Sequence, residues 1–241
     1  MFLNKISTIP PKCNKDAIKK ETQKYIEIMR DRQHILYAQS KYSLLIIFQG
    51  MDASGKDGAT KAVFSSVNPQ GVSVTSFKKP SELELSYDFL WRIHKEVPNR
   101  GMIKIFNRSH YEDILIPSVY NTLPKDVIKK RFDYINSFET MLEDNDTKIL
   151  KFYLHISKKE QKKRFEERLT NPMKNWKHNP SDIETAKHWP KFRKVYQDIF
   201  NKCSDVPWNI VPADKNWYKE YVIAKKIAET LKDLKLEYPK L

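Results

Sequence analysis

Residues 50–58 read Gly50-Met51-Asp52-Ala53-Ser54-Gly55-Lys56-Asp57-Gly58. They follow the most apolar run of the chain, Ser43-Leu44-Leu45-Ile46-Ile47-Phe48-Gln49. A buried strand that enters a glycine- and lysine-containing loop, with helix-compatible sequence beyond it, is the setting of a phosphate-binding loop. Glycine lacks a side chain, so at 50, 55 and 58 the backbone can reach positive φ and approach an anion closely. The loop N–H groups then converge on phosphate oxygens, assisted by the positive end of the next helix. Ala53, Ser54, Gly55, Lys56, Asp57 and Gly58 are the expected phosphate-binding residues, with the Lys56 ammonium bridging neighbouring phosphates.

The spacing G-x-x-x-x-G-K is met by Gly50, Gly55 and Lys56, but Asp57 stands where a Ser or Thr is usual. That hydroxyl ordinarily binds Mg²⁺, so the metal needs other ligands, and Asp52 is the expected replacement. A carboxylate inside an anion-binding loop is repelled unless a cation lies between them. The alternative is a plain strand-to-helix turn with Lys56 and Asp57 solvated. The chain has only five glycines, and three lie in this loop.

Outward from the loop, Asp16–Gln39 has helical spacing, with Ile18, Tyr25, Met29, Ile35 and Leu36 on a broad face. Helix is expected from the loop to about Val67, a strand at 72–77, a helix at 86–97 and a second buried strand at 102–106. Helices follow at 109–119 and 125–143, then a strand at 148–156. Ser157 and Glu160 resemble a capping box opening a charged helix to about Leu169. Pro172, Pro180 and Pro190 interrupt the periodicity of 170–190. Helix resumes at 191–202, a short strand occupies 209–211, and a last helix covers 217–234. Strands separated by helices predict an α/β fold with a parallel sheet between helical layers, one domain over 1–241 with a lid at about 158–190.

The 241 residues carry 44 Lys and Arg against 30 Asp and Glu, a net charge of +14. Such a surplus suits a polyanionic partner, although lysine-rich surfaces also arise from biased genomes. Two cysteines, Cys13 and Cys203, have no metal-ligand spacing, and a reducing cytoplasmic setting is the default. Neither a signal peptide nor a membrane-spanning run is expected.

Two more clusters carry chemistry. Ile103-Lys104-Ile105-Phe106 is followed by Asn107-Arg108-Ser109-His110-Tyr111-Glu112-Asp113. A second parallel strand beside a phosphate loop ends at the active site and often supplies a metal-binding acid. Arg108 is placed to meet phosphate oxygens bidentately. His110 is as readily a packed or capping histidine as a catalytic one. The second cluster is Lys158, Lys159, Lys162, Lys163, Arg164 and Arg168. Arg164 and Arg168 lie four apart and can share a helix face, as arginines on a lid over phosphates would; a solvated helix face is the alternative. Lys78 and Lys79 either extend the phosphate track or are solvated turn lysines.

G-M-D-A-S-G-K-D-G (50–58), F-N-R-S-H-Y-E-D (106–113), H-I-S-K-K-E-Q-K-K-R-F (155–165), N-P-M-K-N-W-K (171–177) and P-W-N-I-V-P-A-D-K-N-W (207–217) together resemble the second family of polyphosphate kinases. The resemblance spans nearly the whole chain and keeps motif order. It implies a P-loop kinase-like three-layer α/β/α sandwich with a helical lid. It implies transfer of the terminal phosphoryl group between inorganic polyphosphate and adenine or guanine nucleotides, with Mg²⁺ (or Mn²⁺), in a homo-oligomer, often a tetramer. By the same resemblance Asp52 and Asp113 organise metal and phosphate, and Lys56 stabilises the transferred group. Asn107 and Arg108 contact nucleotide phosphates with Glu112 nearby, and Arg164 and Arg168 belong to the lid. Some relatives carry Asp at the position of Asn107, a difference that accompanies subclass variation. Three other readings compete. An ATP-dependent nucleotide monophosphate kinase would share the fold without needing a long basic track. A nucleic-acid-binding protein would explain the charge but not the loop. A non-catalytic phosphate store is argued against by intact Lys56, Asp52 and Asp113.

Overall fold

The computed structural model describes residues 3–177 and 181–240. Helix α1 (Lys15–Gln39) opens on Asn14, whose side-chain oxygen accepts from Asp16 N and Ala17 N at 2.9 and 3.1 Å. It closes at Ser40, which takes the left-handed conformation. Strand β1 (Ser43–Gln49) follows, and all seven of its residues are buried. That is the environment of a central strand covered on both faces, and it explains the unbroken apolar run. After the loop come α2 (Lys56–Val63), β2 (Val72–Ser76), α3 (Glu82–Leu85), α4 (Trp91–His94) and β3 (Ile103–Asn107). Next are α5 (Glu112–Tyr120), α6 (Lys125–Asp144), β4 (Thr147–His155) and α7 (Lys158–Thr170). The chain finishes with α8 (Ser181–Lys187), α9 (Trp189–Lys202), β5 (Trp208–Pro212) and α10 (Asn216–Asp233).

The five strands are all parallel, in the order β2-β3-β1-β4-β5. Helices α1, α2 and α10 pack together on one face, and α5, α6 and α9 on the other. The result is the expected α/β/α sandwich. The chain leaves β1 for the far edge at β2 and returns to β3, so the order reverses between β1 and β3. A crevice opens at the carboxyl ends of strands at such a point. The β1–β3 register pairs Phe48 with Asn107, so the loop and the Asn107-Arg108 tip emerge side by side.

Several local expectations are corrected. The helix expected at 86–97 is two short ones, α3 and α4. Ser81 and Glu84 form a reciprocal capping box that starts helix earlier, and the Asp88 carboxylate accepts from Leu90 N at 2.9 Å, which turns the chain between them. Helix α2 stops at Val63 rather than Val67. Helix α5 starts at Glu112 rather than Ser109, because residues 109–111 form a turn with Ser109 Oγ accepting from Tyr111 N. At Ser157 only half the box forms. Ser157 Oγ accepts from Glu160 N, but the Glu160 carboxylate accepts from Arg164 Nε, and Ser157 N donates to Asp214 at 2.8 Å. Within the expected lid, α8 adds a helix that the proline spacing had hidden. Residues 178–180, which include Pro180, lie outside the described residues.

Candidate active site

Glycines shape the loop where their freedom is required. Gly50 has φ +150, and a Cβ there would meet the Leu154 carbonyl oxygen at 2.8 Å, so β1 can pass β4 this closely only without a side chain. Gly55 has φ +92 and caps α2 with no side-chain hydrogen bond. The first-turn N–H groups of α2 have no intrahelical partner, and a helix start offers such groups to an anion. Ser54 is fully buried, with its Oγ turned behind Gly50, so its contribution to an anion is its backbone.

The loop carbonyls are taken from behind. Lys56 Nζ donates to Gly50 O at 3.0 Å, and Gln161 Nε2 to Asp52 O at 2.9 Å. Arg164 Nη1 donates to Ala53 O at 2.9 Å, and Lys219 Nζ to Gly55 O at 3.1 Å. Turning carbonyls outward leaves amide hydrogens for an anion. Burial first, then Arg108, lowers the Lys56 pKa, while Asp52, Glu112 and Asp57 hold its charge up.

Across the loop, Arg108 takes φ +63, uncommon for a residue with a side chain. Its N–H donates to Phe48 O at 3.0 Å, and its guanidinium reaches Asp52 Oδ1 at 2.9 Å. Ala53 is likewise left-handed, at φ +61. Asn107 Nδ2 hydrogen-bonds Asp57, and Lys177 of the N-P-M-K-N-W-K segment reaches the other Asp57 oxygen at 3.4 Å. Asp57 and Gly58 are exposed at the start of α2.

The acids of the second cluster divide. Glu112 lines a cavity of about 180 Å³ together with Gly50, Asp52, Arg108 and Tyr196. Burial raises its carboxyl, against the pull of Arg108 and Lys56. Asp113 instead lies between Arg92 at 3.4 Å and Arg131 at 3.8 Å. Burial raises its carboxyl while those two arginines lower it. The acid that shares the loop cavity with Asp52 is therefore Glu112, and Asp113, expected to act with Asp52, is placed against Arg92 and Arg131. Among the described residues no cluster of three or more His, Cys, Asp or Glu side chains stands ready to enclose a metal. Mg²⁺ needs none, because it takes one or two carboxylates and completes its shell with water and substrate phosphate. Asp52 and Glu112, two oxygen donors on one cavity, fit that requirement.

The two lid arginines also part. All three nitrogens of Arg164 are engaged, with Glu160, Ala53 O and Ala213 O at 2.8, 2.9 and 2.7 Å. Through these bonds it supports the loop at Ala53. Arg168 stacks on Phe165 and donates to Lys177 O at 3.3 Å. Lys78 is exposed at the end of β2, on the rim of a cavity of about 440 Å³ with Lys79, Arg92 and Lys95. His110 is fully buried against Glu139 and Phe138, the packed alternative. Gln161 and Lys219 were not anticipated. Lys219 did leave a signal, since it stands at the same helical phase as the buried Ile223 and Ile227.

The sequence model of Polyphosphate kinase 2 (PPK2) matches residues 12–239. An AMP/ADP-polyphosphate phosphotransferase of Meiothermus ruber is 46% identical over 86% of this chain and 78% of its own length. An ADP-polyphosphate phosphotransferase of Rhodopseudomonas palustris is 42% identical over 89% of this chain and 79% of its own. The crystal structure of polyphosphate kinase 2 from Arthrobacter aurescens TC1 superposes with a TM-score of 0.96 at 36% identity, covering 100% of this chain and 88% of that one. The chain belongs to the polyphosphate kinase 2 family.

Proposed function

We propose that this protein transfers the terminal phosphoryl group between inorganic polyphosphate and nucleoside mono- or diphosphates. The observation that carries it is the phosphate loop itself, its carbonyls held outward and its cations Lys56 and Arg108 converging, in a chain that matches the family along its length. The end of a polyphosphate chain lies in the loop. A terminal phosphate oxygen of the nucleotide attacks the end phosphorus in line. The bridging P–O bond of the polymer breaks, and the bonding pair leaves with the chain, now one unit shorter. The nucleotide phosphate is largely ionised near neutral pH, so the step asks for little proton chemistry. Positioning and charge neutralisation do the remainder. The loop amides and Lys56 hold the transferred group, and Arg108, fixed by Asp52, spans the two substrates. Asp52 and Glu112 would hold the Mg²⁺ or Mn²⁺, which supplies charge neutralisation between two polyanions. Helices α7 and α8 serve as the lid that excludes water.

The test is pure protein with Mg²⁺, long-chain polyphosphate and either AMP or ADP, with no ATP present. ATP appearing from ADP supports the reading, and ADP appearing from AMP extends it to monophosphates. No product from either, alongside transfer from ATP to another acceptor, would leave an ATP-dependent nucleotide kinase in its place.

Two further points belong to this reading. A homo-oligomer, dimer or tetramer, would cover Val127, Tyr134 and Met141, exposed at seven-residue intervals along α6. Sedimentation as a single species at the 28.6 kDa of one chain would remove it. A cytoplasmic location suits two cysteines that are both free. Among the described residues no helix is long and apolar enough to cross a membrane.

A further inference from the structure

Of the four donors behind the phosphate loop, Lys219 reaches it from furthest along the chain, and no substrate contact explains it. It lies in the first turn of α10, 1% exposed, with Nζ on Gly55 O at 3.1 Å and on Asn216 Oδ1 at 3.0 Å. The amino-terminal turn of a helix is the unfavourable end for a cation, and a buried ammonium loses its hydration. A buried cation at that place is a costly way to fill space, and an apolar side chain would do it better. What the lysine gains is one bond to the loop.

That bond falls at a sensitive point. Gly55 O also accepts from Ala59 N at 3.0 Å, the first hydrogen bond of α2. The amides of Lys56, Asp57 and Gly58, the first turn of α2, therefore take their direction from the peptide that Lys219 holds. The fit is close, since a Cβ on Gly55 would lie 2.7 Å from Lys219 Nζ.

We propose that Lys219 is a positioning residue for phosphoryl transfer, fixing the Gly55 carbonyl behind the loop so that the first-turn amides of α2 stay aimed at the transferred phosphate. The proposal rests on the polyphosphate-dependent reading given above. Lys219 faces Arg164 of α7, Glu220 of its own helix, the Asn216 amide and the Gly55 carbonyl. Burial, then Arg164, pushes its ammonium down to about 8, with Glu220 opposing. Below that pH the bond to Gly55 is charge-assisted and strong, and above it the neutral amine is a weaker donor. An alkaline fall in kcat/KM follows for the free enzyme, and an arginine at 219 would not share it.

The experiment compares wild type, Lys219→Met and Lys219→Arg for kcat, both KM values and the pH profile of ATP formation from polyphosphate and ADP. Circular dichroism and thermal melting run alongside. Lys56 is present in all three proteins, so its own titration cancels from the comparison. The expected result is a kcat lower by roughly 10- to 100-fold in Lys219→Met, the size of effect that ångström-scale misplacement produces, with the ADP KM nearly unchanged. Lys219→Arg should recover most of that kcat and move the alkaline limb to higher pH. A folded Lys219→Met with wild-type kcat and an unmoved limb overturns the proposal. If the methionine variant does not fold, the limb of Lys219→Arg decides alone: displaced upward it supports the proposal, unmoved it overturns it. A wild-type protein that transfers nothing from polyphosphate brings down the activity itself and this proposal with it, an outcome distinct from failure of the variants.

Discussion

Lys56→Ala lowers the turnover of polyphosphate-driven ATP formation by about 10²–10³-fold, roughly 3–4 kcal/mol of transition-state stabilisation, while the fold survives. The reasoning starts from where the ammonium sits. Lys56 is the first residue of α2 and is 9% exposed, bonded to Gly50 O at 3.0 Å with Met51 O at 3.5 Å. Burial and Arg108 both work against its charge, and Asp52, Glu112 and Asp57 sustain it. A charge held at such a cost in a poorly hydrated loop is worth more to a developing phosphoryl charge than the same charge in water. Alanine removes the ammonium and keeps the helix, since alanine is the best helix former. The check is a luminescence assay of ATP at saturating ADP with a melting curve of the same sample. Near-normal turnover in a folded variant would falsify the loop's part in the chemistry.

Lys151→Met costs about 3–5 kcal/mol of stability, because it strands a carboxylate in the interior. Lys151 on β4 is fully buried, bonded to Glu139 Oε2 at 2.6 Å, Tyr111 OH at 2.8 Å and Cys203 O at 3.0 Å, and it lies over the Trp208 ring. Glu139 is 1% exposed and also accepts from Tyr111 OH at 2.7 Å and pairs with His110 Nε2 at 3.1 Å. Burial pushes the Glu139 carboxyl up, but the His110 hydrogen bond and the Lys151 charge outweigh it, and the net direction is down. A depressed carboxylate stabilises the fold above its ordinary range, and that contribution is lost only as acid takes the pH through the folded-state value. In a chain of this size the loss corresponds to a melting point lower by on the order of 10 °C. Chemical denaturation of Lys151→Met and of Lys151→Met/Glu139→Gln provides the measurement. The double variant should lose less than the single one, since the stranded charge is gone. If the single variant melts with wild type, the buried pair carries no such weight.

Much of this was legible in sequence where the pattern is strong. The ends of β1 fall where the apolar run begins and stops, because a central parallel strand admits little else. The 86–97 segment misled because its apolar residues fit a helix, while the turn is made by Ser81, Glu84 and Asp88, polar residues whose choice of backbone partner is local. The site divides in the same way. Spacing said that Arg164 and Arg168 share a face of α7 but could not say that loop carbonyls meet the first of them. Neighbouring Glu112 and Asp113 point about 100° apart on α5, and the rotation of the helix sends one to the loop and the other to Arg92 and Arg131. Periodicity fixes which residues travel together and leaves open what they face.

The donors behind the loop carry a consequence for the order in which the molecule is made. Gln161 lies 109 residues beyond the carbonyl it holds, Arg164 111 and Lys219 164. Contacts so distant along the chain are slow to form, because loop-closure entropy is spent before they return anything. Gly55 leaves the ribosome 164 residues ahead of Lys219, yet α10 must dock before the Gly55 carbonyl is held. A half-made chain therefore carries the motif without the geometry, and competence for polyphosphate arrives with completion of the fold rather than with synthesis of the loop.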